Sequence, residues 1–175
     1  MSVPSTFKVR GIDPKQILGL GQMETTVANV GSDPTTLWAL EIPERALKYD
    51  GDAIEFEASG GVNAASAWNL LIMLRQFDST VGFLVDSTPI NDTGVGRAGS
   101  WYARGRFVRT GGDLQLVTGL LVVGPTATGK VVPLADGVGT ANLDAACTFE
   151  VWGDGGSSNE VWLTSAKVDI RATGV

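Results

Sequence analysis

Glu55 and Glu57 stand two apart in Ile54-Glu55-Phe56-Glu57-Ala58, and Asp78 and Asp86 form a second carboxylate pair. Paired carboxylates are the equipment of glycoside hydrolysis, where one acts as acid and the other as base or nucleophile. On a strand, residues i and i+2 share a face with Cα atoms about 6.5–7 Å apart, which permits such a pair. Outward carboxylates on a strand also serve simply as a solvated face or an edge guard, and no other residue supports hydrolysis here. Gly124-Pro125-Thr126-Ala127-Thr128-Gly129-Lys130 keeps the glycine and lysine spacing of a phosphate-binding loop. Val131 nevertheless replaces the Ser or Thr that would bind magnesium, and Val131-Val132-Pro133 is a poor opening for a helix. Gly94-Val95-Gly96-Arg97-Ala98-Gly99 matches a dinucleotide spacing but runs into a strand pattern instead of a helix. Asp50-Gly51-Asp52 and Asp154-Gly155-Gly156 place carboxylates on loops without the ligand spacing of a calcium loop, and Asp-Gly is a preferred turn pair. The chain has no His and one Cys, so the commonest general base, His-based metal sites, Cys clusters and internal disulfides are all missing. Cys147 alternates onto an apolar face, the setting of a buried, inert thiol. We therefore expect no catalytic residue, no metal site and no cofactor, and not an enzyme.

Aromatic residues remain as contact makers. Trp38, Trp68, Trp101 and Trp162 lie on strand patterns with apolar partners and are expected as core or interface anchors. Trp152 alternates to the outer face beside a glycine loop and is the expected exposed contact.

These residues have to be placed by strands. Gly is 23 of 175 residues while 43% of the chain is hydrophobic, a balance that suits a loop-rich all-β protein. Ile54, Phe56 and Ala58 alternate with Glu55 and Glu57, the period of a half-buried strand. Trp101, Ala103, Gly105 and Phe107 alternate with Tyr102, Arg104 and Arg106, and Thr110-Gly111-Gly112-Asp113 turns the chain into 114–123 as a hairpin. Cys147, Phe149 and Val151 form a third alternating face, and 162–170 a fourth. With 37–42, 68–75 and 80–86 the total is about eight strands and no long helix. The expected fold is an all-β antiparallel two-sheet sandwich, a jelly roll, over residues 36–175.

Residues 1–35 are interrupted by Pro4, Gly11, Pro14, Gly19, Gly21, Gly31 and Pro34, which reads as an irregular N-terminal arm. Val3, Phe7, Val9, Ile12, Ile17, Leu18 and Leu20 make this arm too apolar for a solvated tail. It is expected either to fold along its own sandwich or to grip a neighbour. Leu70 to Leu74 and Leu120 to Val123 are apolar on both faces, whereas an antiparallel sheet normally wets one. The second face is expected to be covered by the apolar arm, by nearby loops or by an identical subunit, and in the last case Leu71, Met73, Leu121, Val123 and Trp152 are the expected subunit-interface residues. A formal charge of −6 provides no basic field for nucleic acid or an anionic membrane. The N-terminus has no apolar signal segment, and no stretch approaches about 18 uninterrupted apolar residues, so synthesis in a cytoplasm without membrane insertion is expected.

Several segments in order carry a resemblance: Leu47-Lys48-Tyr49-Asp50-Gly51-Asp52-Ala53-Ile54-Glu55-Phe56-Glu57-Ala58-Ser59-Gly60, Asn63-Ala64-Ala65-Ser66-Ala67, Asp92-Thr93-Gly94, Gly99-Ser100-Trp101 and Val108-Arg109-Thr110-Gly111. Leu143-Asp144-Ala145-Ala146, Phe149-Glu150-Val151-Trp152-Gly153 and the closing strand at 160–171 complete it. From about residue 37 to 175 the chain resembles a β-sandwich domain of tailed-phage virion proteins, found in head decoration or cement proteins, head fibres and some tail fibres. Arg75-Gln76-Phe77-Asp78 departs from the glycine-rich turn that the family would place there. The resemblance implies a homotrimeric jelly roll on the outer capsid surface of a bacteriophage, made in the bacterial host cytoplasm. Its partners would be its own copies and the major capsid protein, whose contacts it would stabilise, with the arm helping to hold the shell. Deleting residues 2–30 is then expected to leave the sandwich folded. The other function it implies is receptor or carbohydrate binding on a head or tail fibre.

Overall fold

A computed structural model describes residues 16–23, 25–63, 68–76, 79–83, 98–111, 114–124, 130–133, 137–139 and 144–172. Twelve strands lie among them: β1 (Gln16–Gln22), β2 (Val27–Ala28), β3 (Thr35–Ile42), β4 (Ala53–Asn63), β5 (Asn69–Gln76), β6 (Ser79–Phe83), β7 (Ala98–Gly111), β8 (Leu114–Gly124), β9 (Lys130–Pro133), β10 (Gly137–Gly139), β11 (Cys147–Asp154) and β12 (Val161–Ala172). All pairings are antiparallel. The larger sheet runs β1-β12-β4-β7-β8-β10, with β2 also on β12 and β9 also on β8, and the smaller runs β3-β11-β5-β6. The chain crosses between sheets as it goes from β3 to β4 to β5, and again from β6 to β7 and from β11 to β12. Its first and last strands are neighbours, which is the double Greek key of a jelly roll. The sandwich expected from the alternation is the fold observed.

Two features differ from expectation, both for reasons of packing. The opening strand of the jelly roll comes from the supposed arm. Ile17, Leu18 and Leu20 lie on β1, where Ile17 pairs with Arg171 and Leu18 with Ile170 of β12 and Leu20 falls in the register shift, so the sandwich includes Gln16–Gln22 and does not start at residue 36. The glycines that read as breakers mark a register shift between Gly19 and Gly21 and a close approach. A Cβ on Gly21 would come within 2.7 Å of Leu40. Val3, Phe7, Val9 and Ile12 lie outside the described residues. The second difference is that β8, counted in the sequence as one of the eight, lies outside the eight jelly-roll strands β1, β3, β4, β5, β6, β7, β11 and β12. It forms a long hairpin with β7 and widens the larger sheet.

The core fills the space between the sheets. Phe56, Trp101, Ala103, Phe107, Leu121, Val168 and Ile170 come from the larger sheet, and Leu70, Ile72, Leu74, Phe149 and Val151 from the smaller. Phe56 packs across the interior on Phe149, ring centroids 5.3 Å apart, and on Phe107 at 6.3 Å. Each buried ring or branched aliphatic chain contributes about 1.5–3 kcal/mol through removal from water.

Cross-strand register fixes which residues of β8 are inside. Ala103 pairs with Leu121 and Trp101 with Val123, and all four are buried in the core. Leu121 and Val123 are therefore interior residues of a single chain, and the interface role expected for them is corrected. Leu120 and Val122, half-buried, form the outer face instead.

Candidate functional site

The outer face of the larger sheet carries the charged residues that alternate with the core. Opposite Phe56 on β4 stand Gly105 on β7 and, next along, Gly119 on β8, in one cross-strand row. Phe56 turns inward, and Gly105 and Gly119 are its register neighbours, so the side-chain positions of this row face the core and its outer side is bare backbone. The smallness is required: a Cβ on Gly105 would lie 2.7 Å from the Phe56 ring and from the Thr118 carbonyl. Flanking rows rise on both sides. One is Lys167, Glu57, Arg104 and Leu120, and the other Asp169, Glu55, Arg106 and Thr118. Together they enclose a trough of about 460 Å³ with a peptide floor and charged walls. That volume suits a small polar ligand.

Most of the wall charges are tied within the chain. Lys167 Nζ lies 2.7 Å from Asp169 Oδ2, and Arg171 Nε lies 3.2 Å from Glu55 Oε1. Arg106 Nε donates to Thr118 Oγ1 at 3.3 Å. Tyr102, one row further along β7, hydrogen-bonds Glu57. Its hydroxyl pKa is pushed up by partial burial first and by the Glu57 carboxylate second, with Arg104 opposing. The Lys167 ammonium is raised by its hydrogen bond and attraction to Asp169. Burial first and the Glu57 carboxylate second thus favour the protonated tyrosine, and Asp169 favours the charged lysine.

Beyond Tyr102 the same face continues as a shallower basin of about 390 Å³, lined by Ser59, Gly60, Ser100, Tyr102, Val122 and Thr164 among others. Next to it Trp162 lies over Gly61, its cross-strand partner, where any Cβ would collide with the indole. Trp162 is thus a half-exposed residue of the outer face. Of the two roles expected for it, core or interface anchor, this placement removes the core one. On the interior side Trp101 fills the space beside Gly60 and its indole N–H donates to the Gly61 carbonyl at 3.3 Å. The Gly60-Gly61 pair lets one indole lie against each face of the strand.

The residues singled out as interface are placed differently. Trp152, Glu150 and Arg75 form a closed cluster on the outer face of the smaller sheet. The Trp152 indole N–H donates to Glu150 Oε2 at 2.7 Å, Arg75 Nη1 is 3.6 Å from the same oxygen, and the guanidinium sits 5.5 Å above the Trp152 ring. Leu71 is half-buried beside this cluster, and Met73 is only 4% exposed within one chain, so no second copy is needed to cover it.

The chemical motifs resolve into structure. Asp52 is fully buried, and its Oδ2 accepts the backbone N–H groups of Lys48 and Tyr49, each at 2.9 Å, so Asp50-Gly51-Asp52 is a self-capped turn. Arg109 clamps that turn, donating to the Leu47 carbonyl at 2.8 Å and to Asp144 Oδ1 at 3.1 Å. Lys130 opens β9, pairing with Val123, so a strand stands where a phosphate loop needs a helix. Asp78 and Asp86 lie outside the described residues, as do 94–97 and 125–129. Cys147 is buried, and desolvation pushes its thiol up to about 11.

The trough was only partly legible in the sequence. The alternation of Glu55 and Glu57, and of Arg104 and Arg106, marks two outer faces, but nothing local says that those faces adjoin with Gly105 and Gly119 between them.

The sequence matches no protein-family model and no curated protein. Among solved structures, the chain is similar to the CBM2 module of the evolved Dit of Lactobacillus casei BL23 phage J-1. The match has 10% identity and a TM-score of 0.40, covering 89% of this chain and 96% of that one. It is also similar to the metal-free form of lectin I-B4 from Griffonia simplicifolia, with 11% identity and a TM-score of 0.38, over 89% of this chain and 93% of the lectin. At such TM-scores neither likeness assigns a family or a ligand. What the coordinates establish is an all-β jelly-roll sandwich with a charged, backbone-floored trough across its larger sheet.

Proposed function

We propose that the protein is a non-catalytic recognition module of a phage virion that binds a saccharide on the outer face of its larger sheet. The observation that carries this reading is the trough, with carboxylates and guanidinium groups on its walls, peptide groups on its floor, and a tyrosine and a tryptophan along the same face. Sugars present many hydroxyls that both donate and accept, so a wall of mixed charged donors and acceptors suits them better than an apolar slot would. The faces of Tyr102 and Trp162 supply apolar area with a polar handle for the C–H side of a sugar ring. The virion setting draws on the resemblance of residues 37–175 to phage sandwiches. Screening the full chain on a glycan array tests the reading, followed by titration of any hit with Tyr102→Ala and Glu57→Gln. Binding that falls at least about tenfold in both variants, as expected for lost hydrogen bonds and stacking, supports it. An array with no specific hit removes it.

A second reading is a capsid decoration (cement) protein, a homotrimer on the outer shell that stabilises contacts between major capsid subunits. It is favoured by Leu71, Leu120 and Val122, apolar groups on the two outer faces that one chain covers only in part. Co-sedimentation with expanded heads tests it, and a chain that neither binds heads nor self-associates argues against it.

A further inference from the structure

Deepening the saccharide reading, on which it rests, we propose that the ligand of the trough is an acidic saccharide whose anionic group is held by Arg104 and Arg106. The inference comes from which wall charges are already used. All three carboxylates have partners from the chain itself: Asp169 has Lys167 at 2.7 Å, Glu55 has Arg171 at 3.2 Å, and Glu57 has the Tyr102 hydroxyl. Among the described residues the two arginines have no ion pair. Arg106 spends one donor on Thr118 Oγ1, and Arg104 makes no hydrogen bond or ion pair among the described residues. This is so although Glu57 is its direct cross-strand partner.

The two groups stand at i and i+2 on one face of β7, about 6.5–7 Å apart at Cα. Both are exposed and both line the trough. A guanidinium offers five N–H donors in a planar fork that matches a carboxylate or sulfate. The backbone floor at Gly105 and Gly119 lets a ring settle low enough for both forks to reach its substituent. The lining by itself balances, with Arg104, Arg106 and Lys167 against Glu55, Glu57 and Asp169. Because Arg171 answers Glu55 from outside the lining, this face has four cations for three carboxylates, a surplus of one positive charge in a chain of net charge −6. A neutral sugar would leave that surplus unanswered, whereas an anion pairs it. The carboxylate of a uronic acid and a sulfate ester share the required chemistry.

Calorimetry on the full chain with three probes separates the cases: a neutral cello-oligosaccharide, an oligogalacturonate and a sulfated heparin oligosaccharide, each at low and high salt. One or both acidic probes are expected to bind about tenfold or more tighter than the neutral one, with affinity falling as salt rises. Preference between the two acids identifies the anion as carboxylate or sulfate. Arg104→Gln and Arg106→Gln are expected to lose about 10- to 100-fold each toward the preferred probe. Arg104→Lys and Arg106→Lys are expected to recover part of the loss through charge without the fork. Arg75→Gln, on the other sheet, should change nothing. Circular dichroism and urea unfolding confirm that these surface variants keep the fold. Equal affinity for neutral and acidic probes, or undiminished acid binding by a variant carrying both Arg104→Gln and Arg106→Gln, overturns this inference and leaves the saccharide reading standing. Binding of none of the probes, together with an empty glycan array, removes both.

Discussion

Asn29 shows how much one side chain can hold. It is fully buried, its Oδ1 accepts the backbone N–H groups of Glu160 and Val161 at 2.9 Å each, and its Nδ2 donates to the carbonyls of Gly31 and Ser157 at 3.0 and 2.8 Å. It thereby fastens the loop before β12 to the segment after β2. Replacing Asn29 by Ala strands two backbone amides, so a loss of about 3 kcal/mol is expected in urea unfolding. Ser158→Ala removes one exposed acceptor of the Gly31 N–H and should cost less than about 1 kcal/mol. Cys147 gives a pH-dependent prediction. Burial holds its thiol at about 11 against an ordinary value of 9.0, so the folded chain keeps a proton that the unfolded chain gives up sooner. Its contribution is complete below pH 9 and declines as pH rises from 9 through about 11, by on the order of 2–3 kcal/mol. In paired urea titrations, the stability gap between wild type and Cys147→Ala should narrow over that window.

Strand β4 is shaped by its consecutive glycines. A Cβ on Gly60 would strike the backbone carbonyl of Trp162, whereas one on Gly61 would strike only the Trp162 indole. Gly60→Ala is expected to break the β4–β12 pairing and lose folded protein, because a backbone atom must move. Gly61→Ala should fold with a penalty of about 1–3 kcal/mol and release the indole from the sheet. A red-shifted tryptophan emission in the folded Gly61→Ala variant checks this. At the N-terminal side, the structure reverses the expectation that residues 2–30 can be deleted without harm. That deletion removes β1, β2, the buried Met23 and Asn29, and leaves the edge of β12 bare. The truncated chain is expected to be unfolded or aggregated by circular dichroism and size exclusion, since an uncovered strand edge invites pairing with other chains.

Across the molecule, partners lie far apart in sequence: β1 sits on β12, β3 on β11, and β4 between β12 and β7. The β7–β8 hairpin is local, but the larger sheet cannot be completed across β1, β12 and β4 until the last strand is available. Folding is accordingly expected in the millisecond-to-second range, far slower than a helical domain of equal length, and stopped-flow tryptophan fluorescence measures it. The two outer faces differ in kind. The larger sheet presents the charged trough, and the smaller presents Trp152, Glu150 and Arg75 already bound to one another. A ligand that needs unspent hydrogen-bonding capacity therefore favours the larger sheet.

Alternation of apolar and polar residues is a property of adjacent positions, so Ile54 to Ala58, Trp101 to Phe107 and Cys147 to Val151 declared their strands and their inner faces before any coordinates. The missing histidines and the carboxylate pattern of β4 were equally plain. Side assignment failed where a run is apolar throughout. In Leu120 to Val123 no local signal distinguishes inside from outside, and only pairing with Ala103 and Trp101 sends Leu121 and Val123 inward. Likewise Gly19 and Gly21 look like breaks until β12 lies alongside to receive them in a shifted register. The trough belongs to this second kind of fact: its walls come from β4, β7, β8 and β12, and no short-range pattern records which distant strands a backbone will hydrogen-bond.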